Sequence, residues 1–408
     1  MTTPALLKAY FALTAVAPWL LKHAAKRQHL RQSAASERLC ERMGQATKPR
    51  QTGPLIWLHA ASVGEVQSAV ALAPLLAEKA QLLVTTATQT GADRARAVLP
   101  KGTLHQFQPI DTPLATRKFL AHWQPDLALF VEADLWPRMC RALAQNGTPT
   151  ALLNARSSKS RARFPRVYKE MLSSFNVITC QSDMAQKELQ ALGISPDVLF
   201  TFGDLKAALP KPEPDAAALA AFRAAAGKRP LWAAVSTHAA DEAHVLAAHR
   251  DVLRHTPEAL LLWLPRHPAR ATAIRDAAKD LHLAQRSLGE AVTSQSQILL
   301  ADTLGEAGAA FATAPVVFLG GSFGREGGHT PYEPAKAGCY VLSGPNVANF
   351  KDAYARLSRE GYATLLDSST ALAQALTTHM RRPHKGLWQS QSENAVAKTA
   401  AKLLSYVP

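Results

Sequence analysis

The chain has 408 residues, 47% hydrophobic and 19% charged, with a formal net charge of +15 and a pI near 9.8. That length exceeds one ordinary core and suggests two domains, and the composition excludes a disordered chain. The excess of base favours anionic partners (nucleic acid, a phosphorylated lipid surface or a phosphate-bearing substrate), while the scattered Cys40, Cys140, Cys180 and Cys339 form no C-x-x-C pair and argue against a disulfide framework or zinc site.

Pro4 to Leu21 is mostly apolar, with Lys8 and Pro18 inside it, and Lys22, His23, Lys26, Arg27, His29 and Arg31 follow. No small-residue cleavage site accompanies it, and its length is marginal against the ~20 apolar residues of a span. It reads as a helix lying in the membrane interface, or one short anchor with its basic flank on the cytoplasmic side. The alternative is a helix packed on the first domain.

From Leu55 onward short apolar runs alternate with amphipathic stretches. Strands are expected at Leu55–His59, Leu82–Thr86, Leu127–Glu132, Ala151–Asn154, Val177–Thr179 and Val198–Thr201, with helices between them. This alternation predicts a right-handed, doubly wound parallel sheet. After the first strand comes His59-Ala-Ala-Ser-Val-Gly-Glu-Val66. Glu65 falls in a first helical turn, where a carboxylate can take a proton from an attacking hydroxyl or form a capping box with Ser62. Glu132-Ala-Asp-Leu-Trp-Pro137 ends the third strand, so Glu132 and Asp134 can bind a sugar hydroxyl or pair with Arg156. Between Asn154 and Lys169 stand six basic residues and no acid, a pattern suited to phosphate or carboxylate.

Pro210, Pro212 and Pro214 mark a linker. Strands resume at Leu231–Val235, Leu260–Leu264, Ile298–Ala301, Val316–Leu319 and Tyr340–Leu342, giving a second domain of similar design. Two such domains place a cleft between the carboxyl ends of their sheets. Ser236-Thr-His238, Pro265-Arg-His-Pro268 and Asp302-Thr-Leu-Gly-Glu306 each follow a strand; Thr303 and Glu306 have capping-box spacing. Val316 to Leu319 runs into Gly320, Gly321, Gly324, Gly327 and Gly328, then Thr330 as N-cap, Pro331 at the first helical position and Glu333 completing a capping box. Strand, glycine loop and helix N-terminus form a phosphate-binding geometry. No G-x-G-x-x-G, P-loop or metal-ligand spacing occurs. The domains expected are 1–35 (membrane-associated), 36–208, 209–385, and 386–408, a helix that can cross back to the first domain.

The ordered set Ala61-Ser-Val-Gly-Glu-Val66, Glu132 to Pro137, Asn154-Ala-Arg156, Gly203-Asp-Leu-Lys206, Ser236-Thr-His238, Pro265-Arg-His-Pro268, Asp302-Thr303 with Gly305-Glu306, Gly320-Gly-Ser322 through Gly327-Gly-His329, and Glu333-Pro334 resembles the 3-deoxy-D-manno-octulosonic acid (Kdo) transferases of lipopolysaccharide synthesis. The resemblance spans nearly the whole chain, including Glu41-Arg-Met-Gly44. In that pattern Asp134 stands where Glu is common, Asp204 where Asn is, and Thr330 and Tyr332 where Asn and Leu are.

The resemblance implies an inverting GT-B glycosyltransferase that moves Kdo from CMP-Kdo to the lipid A precursor, a phosphorylated, acylated glucosamine disaccharide, at the cytoplasmic face of the inner membrane. Glu65 would be the base, with Glu132, Asp134 and Arg156 on the acceptor or transition-state side. Lys206, Ser236, Thr237, Pro265, Arg266, His267, Gly320, Gly321, Ser322, His329 and Glu333 would bind the CMP-sugar; Arg266, Lys206, His329 and the N–H groups of Gly321 and Ser322 would meet the leaving phosphate. No metal or other cofactor and no nucleic-acid partner is expected. The competing readings are a GT-B enzyme acting on a UDP-sugar, as transferase or epimerase, and a non-catalytic nucleic-acid binder.

Overall fold

The computed structural model describes residues 3–32, 34–132, 135–209, 211, 213–381, 388 and 393–408. Pro210 and Pro212 of the expected linker, Asp134, and most of 386–392 lie outside the described residues. Two compact units result, one of Met1–Leu209 with Ser390–Pro408 and one of Pro210–Gln389.

The first unit is a parallel sheet of β1 (Leu55–His59), β2 (Gln81–Thr86), β3 (Leu104–Phe107), β4 (Leu127–Val131), β5 (Thr150–Ala155), β6 (Val177–Cys180) and β7 (Leu199–Thr201), ordered β3-β2-β1-β4-β5-β6-β7. Every residue of β1, β4, β5 and β6 is buried, as in a sheet covered on both faces. Side-chain alternation sends Ile56 and Leu58 into one core with Val66, Leu129 and Val131, and Leu55 and Trp57 into the other with Phe119, Trp123 and Phe130. Val396, Ala400 and Leu403 of the last helix, Glu393–Leu404, fill the first of these layers, so the chain's end belongs to this unit.

The second unit repeats the plan with β8 (Leu231–Thr237), β9 (Leu260–Pro265), β10 (Leu283–Gln285), β11 (Ile298–Leu300), β12 (Val316–Leu319), β13 (Tyr340–Ser343) and β14 (Ala363–Leu365), ordered β10-β11-β9-β8-β12-β13-β14. Strand order reverses beside β1 in the first unit and beside β8 in the second. At such switch points the loops leaving the carboxyl ends of adjacent strands diverge and open a crevice.

The N-terminal apolar stretch is two helices, Ala5–Val16 and Pro18–Arg31, bent 80° apart at Ala17 and Pro18; among the described residues no single helix is long and apolar enough to cross a membrane, though the bent pair meets that test by length and composition. The first helix is held to its unit by Tyr10, whose hydroxyl donates to Asp111 at 2.8 Å, and by Arg138, which donates to the Phe11 carbonyl and Thr14 Oγ1. Leu6, Leu13, Val16 and Trp19 stay exposed. In the Glu41-Arg-Met-Gly44 segment, buried Glu41 takes two bonds from Arg38 and the Phe107 N–H, and Arg42 donates to the Ala87 carbonyl at 2.7 Å. A Cβ on Gly44 would sit 2.1 Å from the Ala115 carbonyl oxygen, so only glycine fits. This motif welds the N-terminal segment to the sheet.

Candidate active site

In the first unit, β1 leads directly into helix Val63–Ala69, with Glu65 half-buried in its first turn. The expected Ser62 cap is not formed. Instead the Glu65 carboxylate accepts the N–H of Ala61, which fixes it at the positive end of the helix. One turn on, the Ser68 hydroxyl donates to Glu132 Oε1 at 2.9 Å. Glu132, just beyond β4, also receives Arg156 Nε at 3.2 Å and Lys206 Nζ at 2.5 Å. Glu132 thus pairs with Arg156, one of the two alternatives open for it, and with Lys206, which the resemblance implies at the CMP-sugar and which belongs to this first unit.

Asn154 completes the cluster. Its amide donates to Asp204 Oδ1 at 3.1 Å and its carbonyl accepts the Leu205 N–H at 3.0 Å, locking the loop after β7 against β5. Burial pushes the Asp204 carboxyl up, opposed by neighbouring Lys206. Among the described residues the non-glycine positions with positive φ are Gln124, Glu132, Asn154 and Ser236, and the last three stand at carboxyl ends of strands among the expected site residues or beside them. Backbone strain of this kind persists where surrounding bonds over-determine it. Within the basic run Arg161 is buried, donates to the Arg156 carbonyl at 2.7 Å and is pulled down from its usual pKa by desolvation, so it positions rather than binds.

In the second unit, His238 after β8 and His329 beyond β12 stack at 5.4 Å with their Nε2 atoms 3.2 Å apart, and His267 stands edge-on to His238 at 5.6 Å. Burial, then His238 and Arg266, push His329 down to about 4. His329 is therefore neutral at pH 7 and does not carry the positive charge expected of it. Arg266 is exposed, and among the described residues no carboxylate pairs with it.

The glycine loop departs most from expectation. Asp241, fully buried three residues after His238, accepts the N–H groups of His238 (2.8 Å), Gly321 (2.7 Å), Ser322 (3.2 Å) and Phe323 (3.0 Å). The N–H groups of Gly321 and Ser322 expected on a phosphate are consumed by an internal carboxylate. The Ser322 hydroxyl is also committed, donating to the Leu319 carbonyl at 3.0 Å and accepting the Gly344 N–H at 2.7 Å. A Cβ on Gly320 would meet Thr237 Cα at 2.4 Å, so the close approach that needs glycine is to the adjacent strand, not to a ligand.

Thr237 is buried and accepts the Trp263 indole N–H at 2.8 Å, and Pro265 pairs with it across β8 and β9, so both are structural. Helix Tyr332–Lys336 begins two residues after Thr330, with Pro331 in the cap position and no side-chain cap; the Thr330 and Glu333 capping box is not made, and Glu333 lies half-buried in the first turn. Likewise Thr303 bonds to Glu306 by its hydroxyl while Glu306 occupies the cap position and pairs with Arg286 at 2.7 Å. Sequence reasoning passed over Ser68 and Asp241. The only signal for Asp241 was its spacing from His238, with which it forms the capping box of helix Ala239–His255.

A family model described as 3-deoxy-D-manno-octulosonic-acid transferase (kdotransferase) matches residues 37–209. A 3-deoxy-D-manno-octulosonic acid transferase of Haemophilus influenzae is 30% identical over 357 residues, covering 83% of this chain and 82% of that protein. One from Bordetella pertussis is 35% identical over 373 residues, covering 87% and 86%. Among solved structures, UDP-GlcNAc 2-epimerase from Neisseria meningitidis bound to UDP-GlcNAc superposes with a TM-score of 0.60 at 10% identity, covering 86% of this chain and 99% of that one. At that identity the likeness shows a shared GT-B-type α/β fold alone.

Proposed function

The chain belongs to the 3-deoxy-D-manno-octulosonic acid transferase family, and from that premise we propose that it transfers Kdo from CMP-Kdo to the phosphorylated, acylated glucosamine disaccharide that precedes lipid A. The observation that carries the reading is the constellation at the β1 switch point, a carboxylate pinned in the first turn of Val63–Ala69 and, one turn on, Ser68 bonded to a second carboxylate that holds two cations.

In the proposed mechanism Glu65 takes the proton of the acceptor's primary hydroxyl as its oxygen attacks the anomeric carbon, and the bond to CMP breaks on the opposite face. Glu132 holds Arg156 and Lys206 toward an acceptor phosphate or the Kdo carboxylate, an arrangement in which arginine adds bidentate geometry and lysine a point charge. On the second unit Arg266 supplies positive charge to the leaving phosphate, joined by the stacked His238 and His329 pair as hydrogen-bond donor. Glu333 accepts from ribose hydroxyls. No metal is required, and the chain works at the cytoplasmic face of the inner membrane, lying on its surface by the exposed apolar side of its first two helices.

The deciding experiment is a mass spectrum of the lipid after incubation with CMP-Kdo and the tetra-acylated disaccharide, with and without chelator. A shift by whole Kdo units in both arms is expected and counts the additions. No shift beside an active transferase control would overturn the reaction; a shift lost in chelator and restored by Mg²⁺ would overturn the metal-free mechanism. A UDP-sugar enzyme would instead bind UDP in preference to CMP in titration.

A further inference from the structure

A cavity of about 650 Å³ lies in the first unit between helices Pro113–Trp123 and Pro137–Gln145. Its polar lining is Thr116, Arg117, Gln124, Arg138, Arg141, Gln145 and Asn146, and no acidic side chain lines it. Among the described residues none of the three arginines has a carboxylate within ion-pair distance. Thr116 is only 2% exposed, and its hydroxyl has no hydrogen-bond partner. A buried, unsatisfied hydroxyl beside three cations is costly unless something completes it.

The surroundings narrow what that is. The guanidinium carbons of Arg138 and Arg141 lie 5.3 and 5.1 Å from the ring of Phe11, on the helix Ala5–Val16. The outer side of that helix leaves Leu13 58% and Val16 83% exposed, and Trp19 on the following helix is 65% exposed. A cationic cavity beside an apolar ridge matches a molecule with a phosphate head and hydrocarbon chains.

We propose that this cavity holds the phosphate headgroup of an anionic membrane phospholipid, separately from the groups assigned to Kdo transfer. The proposal rests on the membrane-surface part of the reading above. Arg117, Arg141 and Thr116 contact the headgroup, Arg138 ties the site to the apolar helix, and the acyl chains lie along Leu13 and Val16.

The test is flotation of the full-length protein with phosphatidylcholine vesicles, with and without phosphatidylglycerol. Arg117→Gln with Arg141→Gln should weaken binding to phosphatidylglycerol vesicles about thirtyfold, at the usual worth of a basic residue at an anionic surface. Loss of any two charges weakens such binding, so the deciding variant is Thr116→Val, isosteric and uncharged, which also tests the site if the arginine variant does not fold. It should weaken phosphatidylglycerol binding about fivefold, the net worth of one hydrogen bond, and leave phosphatidylcholine binding unchanged. Transfer to acceptor presented in neutral detergent should be unaltered in both variants.

Equal binding by wild type and Thr116→Val overturns the headgroup site while leaving membrane association standing. Failure of wild type on every vesicle overturns the membrane reading and the site together. A raised acceptor KM for the variants in neutral detergent would assign the cavity to the acceptor's phosphates, and loss of phosphatidylglycerol binding to competing inorganic phosphate at matched ionic strength would assign it to the free anion; either overturns the proposal.

Discussion

Glu65 sits where a carboxylate can serve its own helix, and its bond from the Ala61 N–H shows that it does. That bond does not compete with a catalytic role, because a carboxylate has several acceptor sites. The two roles separate in Glu65→Gln. The glutamine oxygen still accepts the Ala61 N–H, so the fold should survive, whereas the amide cannot take a proton. Turnover should fall about 10²- to 10⁴-fold, the usual contribution of a general base, with the melting temperature nearly unmoved. Turnover within a few-fold of wild type would remove Glu65 as the base. The residue types of the site were legible in the sequence because they follow strand ends. Their pairings were not, since Arg156 and Lys206 lie 24 and 74 positions from Glu132 and meet it only through the sheet. The same limit hid Asp241, 80 positions before Gly321.

At the level of elements, the central strands announce themselves and, of the four edge strands, only β7 does. β3, β10 and β14, with 4, 3 and 3 residues, escaped sequence reading, and each is the outermost strand of its sheet. An edge strand pairs on one side only and needs no long apolar run, and Leu104-His-Gln-Phe107 carries two polar residues at its centre. Capping signals were legible as spacings but not as bonds: Ser62 holds its cap position without a side-chain bond, and the caps expected at Thr330 and Thr303 fall one and three residues later, at Pro331 and Glu306. The loop after β12 has a corresponding test. Asp241 receives four backbone N–H groups, and Asp241→Asn removes one acceptor oxygen without changing shape, stranding two buried donors. At about 1–3 kcal/mol for each unsatisfied group, stability should fall by roughly 2–5 kcal/mol in urea titration, and CMP affinity should fall with it as the loop loosens. A variant as stable as wild type would mean that the loop holds itself.

Across the whole molecule the titrating groups divide unevenly between the two units. In the second unit His249 and His329 are both pushed down to about 4, chiefly by burial and further by nearby arginines, while the shifted carboxylates Glu258, Asp280, Glu290, Asp302 and Glu360 all lie below their usual range. A histidine lowered in the folded state contributes stability that is complete above its unfolded pKa of about 6.5 and lost as pH falls toward the folded value, at up to ~1.4 kcal/mol per pH unit. The lowered carboxylates act in the same direction at lower pH. In the first unit His105, pushed down to about 3 chiefly by burial, acts likewise, but Asp111 and Asp204 are raised by burial and gain as pH falls. The shifts oppose one another in one unit and add in the other. His249 is the most exposed to this effect mechanistically, because its neutral tautomer donates to the Gln297 carbonyl at 2.9 Å while accepting the Trp232 indole N–H at 3.3 Å, a bond that protonation breaks. Acidification from pH 7 to 5 should therefore release backbone amides of β8, β9 and β12 to hydrogen exchange, corrected for intrinsic rate, before those of β1, β4 and β5. The reverse order would mean that burial of Asp111 and Asp204 matters less than the histidine in their own unit, and that acid lability follows net charge and not the placement of individual groups.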